Sequence, residues 1–237
     1  MISIDDPGLI AAVSPHLDDA VTGCGAALAA YPGSTVITVF AGVPKATTPL
    51  TDWDRRCGFG GGDAAMAHRL GEDDKALHLL KAQPIRLPFL DDQYVRAMER
   101  SGPKVEKIAP ALSGALQKGQ AHTVLFPIGL FHSDHVLASD AALTLFPAMA
   151  DRRWIAYEDA FYRGKPGLLH ARMVQFYMRG VTLTPVSFGL PPNVHRKATA
   201  MAAYASQLTE LGFRKGEGEA IAPERFWLLS ESVKQPL

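Results

Sequence analysis

The stretch Leu9-Ile10-Ala11-Ala12-Val13-Ser14-Pro15-His16-Leu17-Asp18-Asp19-Ala20 decides the fold. Residues 9–14 form a short apolar run closed by Pro15, the pattern of a buried strand. Residues 20–30 are small and apolar, as in a packed helix, and Pro32-Gly33 stops them. Residues 34–41 hold Thr35, Val36, Ile37, Thr38 and Val39, a β-branched run that reads as a second strand. Strand, helix and strand in this order make a βαβ unit, which implies parallel pairing. The same alternation continues outward. Helical spacing covers 63–81 (Ala64, Ala67, Leu70, Ala76, Leu77, Leu80), and a strand follows at 85–90. A helix at 103–118 carries Pro103 in its first turn. A strand at 123–127 leads to a helix at 134–149 with Asp134 as its N-cap. Strands are predicted at 154–157 and 173–178, and a last helix at 194–211. Residues 42–62, rich in Gly, Pro and Thr, read as a long loop. The prediction is an α/β, Rossmann-like fold, with a mostly parallel sheet flanked by helices, in a single domain spanning residues 1–237. No internal repeat, low-complexity tract or linker interrupts it.

Composition narrows the class of function. The chain has 237 residues, 47% hydrophobic and 20% charged, enough apolar surface for a real core. Lys plus Arg and Asp plus Glu both number 24, so the formal net charge is zero. No run of like charges forms the basic stripe that nucleic acid requires. No apolar segment is long enough for a transmembrane helix. The first six residues lack the basic start and apolar stretch of a signal peptide. Cys24 and Cys57 make neither a disulfide framework nor a CxxC pair, so a cytoplasmic setting is expected. The oligomeric state is not readable.

In an open parallel sheet, ligands gather beyond the carboxyl ends of the strands. The polar clusters follow that rule. His16, Asp18 and Asp19 follow the first strand, Asp91 and Asp92 the strand at 85–90. His132, Asp134 and His135 follow the strand at 123–127, and Glu158 and Asp159 the one at 154–157. His16 and Asp19 lie three apart at a strand-to-helix turn and can converge on one point. With His135 they make a two-histidine, one-carboxylate set, which suits zinc with one position open for water. Asp18 stands beside it as a base, and His132 faces the substrate carbonyl. The competing reading is that Asp18, Asp19 and Asp134 merely cap helices. Two such clusters at matching strand ends favour the metal site.

The other motifs carry less. His68, His78, His122, His170 and His195 read as structural or surface groups. Gly58-Phe59-Gly60-Gly61-Gly62 lacks the Lys-Ser/Thr ending of a phosphate loop and reads as a flexible loop over the site. Gly23-Cys24-Gly25 lies inside a helix, where small residues allow close packing on the sheet. No Gly-x-Ser-x-Gly elbow exists, which argues against a serine hydrolase. Arg56, Asp92 and Glu158 are the substrate-binding candidates. Carboxylates accept hydroxyl donors, and Trp53, Tyr94 and Tyr162 add flat faces, a combination suited to a sugar ring. Asp92 is the first choice among them.

At the two histidine clusters the chain resembles the PIG-L (LmbE-like) family of zinc N-deacetylases. Ser14-Pro15-His16-Leu17-Asp18-Asp19-Ala20 is similar to that family's His-Pro-Asp-Asp-Glu stretch, and His132-Ser133-Asp134-His135 to its His-x-Asp-His stretch. Tyr157-Glu158-Asp159 and the late Lys197, Tyr204, Ser206-Gln207 pattern are weaker echoes. Leu17 and Ala20 depart from the family's usual Pro and Glu. The resemblance implies Zn2+ held by His16, Asp19 and His135, with Asp18 as general base on the activated water. It implies a protonated His132 at the oxyanion and Asp134 orienting a motif histidine. It implies loss of an N-acyl group, usually acetyl, from an amino sugar such as N-acetylglucosamine or a conjugate of one. A deacylase or esterase acting on a non-sugar metabolite, a non-catalytic metal-binding protein and a nucleotide-binding oxidoreductase remain as alternatives.

Overall fold

The run at residues 10–14 is buried at every position, as a strand covered on both faces must be. It is the second of eight strands among the described residues. The computed structural model describes residues 2–208, 210, 211 and 222–232. In chain order the elements are β1 (Ile2–Ile4), β2 (Ile10–Ser14), α1 (Asp19–Ala30), β3 (Thr35–Thr38), α2 (Asp52–Arg56) and α3 (Gly62–Leu80). Then come β4 (Gln83–Arg86), α4 (Asp92–Ala97), α5 (Val105–Lys118), β5 (Thr123–Pro127), α6 (Ser133–Leu145) and β6 (Arg153–Tyr157). The last are α7 (Leu168–Met178), β7 (Val181–Phe188), α8 (Val194–Met201), α9 (Ala205–Leu208) and β8 (Phe226–Glu231).

The strands form one sheet in the order β1-β7-β8-β6-β5-β2-β3-β4. The pairs β6–β5–β2–β3–β4 are all parallel, which is the predicted α/β arrangement. β8 breaks the pattern by running antiparallel to both β6 and β7. Helices α1, α3 and α8 pack together over one apolar cluster, which includes Val21, Leu28, Leu77 and Met201. Helices α5 and α6 pack over a second, which includes Leu112, Phe126, Ala138 and Trp154. No helix among the described residues is long and apolar enough to cross a membrane.

Several elements differ from the sequence prediction. Residues 173–178 are helix, part of α7, because Arg172 and Phe176 bury one stripe at a four-residue spacing. β1, β7 and β8 were not predicted. The strand predicted at 85–90 lies earlier, at Gln83–Arg86. The loop at 42–62 contains α2, capped by Thr51, whose side chain accepts from Asp54 N. Pro103 lies before α5, and α6 ends at Leu145. The last predicted helix is broken into α8 and α9; its residue 209 lies outside the described residues.

The strand order positions the site. From β2 the chain moves to β3 and β4 on one side, then returns to β5 and β6 on the other. The crevice beyond the carboxyl ends of β2 and β5 is therefore the switch point, where ligands of such sheets bind. Both histidine clusters emerge there.

Candidate metal centre

Strand β2 ends at Ser14, whose hydroxyl ties the following turn. It donates to His16 O at 2.5 Å and accepts from Ala20 N at 2.9 Å. The Tyr204 hydroxyl lies 2.8 Å from Leu17 O, on the other side of the turn. His16 N–H donates to Asp19 Oδ2 at 2.8 Å, and His16 Nδ1 lies 3.1 Å from the same oxygen. Asp18 occupies the N-cap position of α1, yet its side chain makes no capping hydrogen bond. Its carboxylate is thus free to line the cavity. Close packing of α1 depends on Gly23: a Cβ there would stand 2.6 Å from the Tyr157 ring.

Helix α1 breaks at Cys24, which leaves helical geometry (φ −142, ψ 17). A buried ion pair takes up the freed backbone groups. Lys197 Nζ donates to Thr22 O at 2.6 Å, and Glu224 accepts from Ala26 N and Ala27 N at 2.8 and 3.0 Å. Lys197 and Glu224 are themselves 2.8 Å apart. The first turn of α1, which carries Asp19, is therefore held from the C-terminal part of the chain.

The second loop is built around Asp159. Its Oδ2 accepts from Gly129 N and Leu130 N at 2.9 and 3.0 Å. These bonds brace a turn in which Gly129 (φ 86) and Phe131 (φ 65) are both left-handed. That conformation is costly for a bulky residue such as Phe131, and such strain persists only where the surroundings enforce it. Asp159 Oδ1 lies 2.5 Å from His135 Nδ1. The N-cap of α6 is His132, not Asp134: His132 Nδ1 accepts Asp134 N–H at 3.2 Å. The buried Asp134 carboxylate is released to meet His16 Nε2 at 3.0 Å and to accept Asp92 N–H at 3.0 Å.

His16 Nδ1 and His135 Nε2 thus converge on Asp19 Oδ2, at 3.1 and 3.2 Å. One ligand atom from each of these residues lies within 4.8 Å of the others. The remote nitrogen of each imidazole rests on a buried carboxylate, His16 on Asp134 and His135 on Asp159. Such backing fixes the ring orientation and raises ligand basicity. Two imidazoles, one carboxylate and a backed shell fit a borderline divalent cation such as zinc. His16, His132 and Asp134 also come within the same spacing. That second set is the poorer one, since Asp134 already holds His16 and Asp92, and His132 Nδ1 holds the cap.

The electrostatics follow from this packing. Burial, then the neighbouring Asp19, pushes the Asp18 carboxyl up to about 7. Burial also works against the charge on Asp19, but His135 and His16 win and hold it well below the usual carboxylate range. For His135 burial opposes protonation, yet Asp19 and Asp159 raise it to about 10. His16 is likewise held well above the ordinary imidazole value: burial is outweighed by Asp91, Asp134 and Asp19. His132 goes the other way, pulled down by burial and then by His16 and His135. These influences disfavour the protonated form that the resemblance implies. Because its Nδ1 accepts a backbone N–H, its proton sits on Nε2.

A cavity of about 270 Å³ opens on this group. Its wall includes Asp18, Trp53, Arg69, Asp91, Tyr162 and Gln207. The three substrate-binding candidates fare differently. Asp92 is not in the wall; its carboxylate is taken by Arg96 and by Ser133 Oγ. Its neighbour Asp91 is in the wall, 3.9 Å from His16 Nε2. Glu158 points away and accepts Trp227 Nε1–H at 3.1 Å, beside a separate cavity of about 650 Å³. Arg56 is exposed, stacks on the Trp53 ring at 5.5 Å and pairs with Glu210 at 3.2 Å. Asp91 and Asp159 stand out in the sequence as strand-end acids and Gln207 as part of the late echo, but none is given there the place it takes here. Alternation along a strand end would separate Asp159 from Glu158, but only once the register is known.

No protein-family model matches this sequence, and no curated protein matches it. Solved structures do. A triple mutant of the Orf2 deacetylase of the teicoplanin biosynthetic pathway is 26% identical, with a TM-score of 0.76, over 96% of this chain and 100% of that one. The A40926 pseudoaglycone deacetylase Dbv21 is also 26% identical, with a TM-score of 0.75, over 97% and 100%. The 4-carboxy-2-hydroxymuconate hydratase GalB of Pseudomonas putida shares the fold alone, at 14% identity and a TM-score of 0.53, over 97% and 100%. One fold therefore carries both deacetylases and a hydratase, and the reaction must be argued from the site.

Proposed function

We propose that this chain is a metal-dependent N-deacylase of the PIG-L (LmbE-like) family, one domain over residues 1–237, that removes an acetyl group from an amino sugar or sugar conjugate. The observation that carries the reading is the convergence of His16 and His135 on Asp19, each imidazole backed by a buried carboxylate, next to an uncapped Asp18. The likeness to two deacetylases, one of them named for a pseudoaglycone, supports both the reaction and the substrate class.

Zinc held by His16, Asp19 and His135 would supply a Lewis acid for the acyl oxygen and a water of lowered pKa. The protein's own groups do the rest. Asp18, raised to about 7, is basic enough to take the water's proton and acidic enough to return it to the leaving amine. His132 Nε2–H donates to the acyl oxygen as charge develops there. Asp134 and Asp159 keep the two ligand imidazoles in place. Products are a free amine and acetate.

The test pairs metal analysis with acetate release. Protein purified without added metal is to be analysed for divalent ions, then loaded and given a panel of N-acetyl sugars and conjugates. The expected result is about one ion per chain and acetate from at least one substrate. A chain that takes up no divalent ion, or a loaded chain that releases acetate from none, overturns the reading.

A further inference from the structure

Besides Arg69, whose sealed Nε has no partner, the wall of the cavity holds a buried polar side chain that the described residues leave unsatisfied. Gln207 is only 9% exposed and lines the cavity with His16 and Asp18. Its carboxamide has no hydrogen-bond partner among the described residues. Nor is it sealed away: the side-chain atoms that are both sealed and unpartnered belong to Asp54, Arg69 and Arg86. The amide therefore opens on the cavity.

Its backbone is held firmly. Ser206 donates twice to Glu72, from N at 2.8 Å and from Oγ at 2.6 Å. The Tyr204 hydroxyl lies 2.8 Å from Asp73 Oδ1. Gln207 N–H donates to Tyr204 O at 3.1 Å. Adjacent carboxylates of α3 thus clamp the chain just before Gln207. A positioned amide that loses water without gaining a partner costs free energy, so a ligand that pairs with it is selected.

The surroundings say what that ligand is. A carboxamide both donates and accepts, as a hydroxyl does. The wall also carries Asp18 and Asp91, while the charge of Arg69 is matched by Asp54 at 2.7 Å. This disfavours an anionic group. Trp53 adds a flat face of the kind on which sugar rings stack. We infer that Gln207 is a specificity-determining residue, whose carboxamide hydrogen-bonds hydroxyls of the sugar ring that carries the N-acyl group. The inference rests on the deacylase reading for the acyl group, and on the cavity alone for the sugar.

The test uses two amides of one ring size, methyl N-acetylglucosaminide and N-acetylcyclohexylamine, which has no hydroxyls. Binding of the glucosaminide to metal-free protein is measured by calorimetry, and kcat/KM for both amides on loaded protein, with metal content and Tm alongside. Gln207→Leu should weaken sugar binding and its kcat/KM by on the order of 10-fold to 100-fold, leaving the cyclohexyl amide unchanged. Gln207→Asn, which withdraws the amide but keeps its chemistry, should give the same selective loss. Equal losses on both amides, no loss on the sugar, or no sugar binding by the unaltered protein overturns the inference. If Gln207-dependent sugar binding persists while neither amide is cleaved, the deacylase reading falls and the sugar assignment stands.

Discussion

His132 and His135 sit three residues apart at the start of one helix and are pushed in opposite directions. His135 is buried between Asp159 and Asp19, which raise it to about 10 against the cost of burial. His132 is half-buried and uses Nδ1 to cap α6; no carboxylate among the described residues hydrogen-bonds its ring. Burial and the nearby His16 and His135 then pull it down. The residue type is the same, and the group on the Nδ1 nitrogen decides the role. A carboxylate there makes an electron-rich ligand, and a backbone N–H there makes a neutral N–H donor.

Removing each histidine breaks this comparison most sharply. His135→Ala should empty the metal site, seen as loss of the bound ion by elemental analysis, and abolish turnover. His132→Ala should keep the ion. A variant pattern the other way round would exchange the two roles. Asp18→Asn should also keep the ion while turnover falls by roughly 10²–10⁴, the range of a positioned general base. Loss of metal in Asp18→Asn, with retention in Asp19→Asn, would exchange base and ligand. The acid limb of the kcat/KM profile should report Asp18, with a midpoint at or below about 7 because a bound cation favours the ionised form.

His132→Ala itself should cost roughly 10²–10³ in turnover, as for other oxyanion donors. Because burial and the neighbouring histidines disfavour a protonated His132, the alkaline limb should not move in that variant. A shifted alkaline limb would return the proton to Nδ1 and overturn the cap-based assignment. Asp159→Asn probes the group behind His135. It should weaken metal affinity by about 10-fold to 100-fold, measured by chelator competition, without emptying the site.

The half of the fold that builds this centre was legible because each parallel strand is an unbroken apolar or β-branched run ending in polar residues. β2, β3, β5 and β6 were found this way, and with them the strand ends carrying both histidine clusters. The edge formed by β1, β7 and β8 was not. β1 has three residues, and β7 contains Pro185 and lacks a clean alternation of burial. Met173-Val174-Gln175-Phe176-Tyr177-Met178 carries β-favouring side chains, but its burial has helical spacing, and the true strand begins after Gly180 (φ 77). At two places neighbouring acids take different positions. Asp159 and not Glu158 reaches the metal group, and Asp91 and not Asp92 lines the cavity. Glu158 and Asp159 follow the end of β6, where adjacent residues face opposite ways and only the register tells which is inward; Asp91 caps α4 and Asp92 opens it, so that pair is divided by the helix start. Gln207 is visible in the sequence as part of the late Tyr204, Ser206-Gln207 echo, but its place at the cavity is not, because its signal is an absent partner, which no sequence pattern records.

The smallest expected effect concerns stability without metal. The folded value for His135, about 10, lies above its ordinary value of 6.5. A raised histidine contributes stability that is full below the unfolded value and lost as pH rises through the folded one. Asp18, raised from 3.8 to about 7, acts in the same direction: its protonated form is favoured by the fold, so that share is lost as pH rises through about 7. Asp19, held low, contributes above its ordinary value of 3.8 and is constant over this window. Metal-free protein should therefore lose Tm between pH 6 and 10, by several degrees if the loss is about 1–2 kcal/mol in a chain of this size. Bound metal requires the deprotonated imidazole, so loading should release protons and stabilise more strongly as pH rises. The gap in Tm between loaded and metal-free protein should widen steadily across that range. His135→Gln should reduce the metal-free slope, leaving the share of the raised His16 and Asp18, and His132→Gln should leave it in place. A metal-free Tm that rises with pH, or a slope that depends on His132 instead, would mean that the two histidines do not differ in the way their partners dictate.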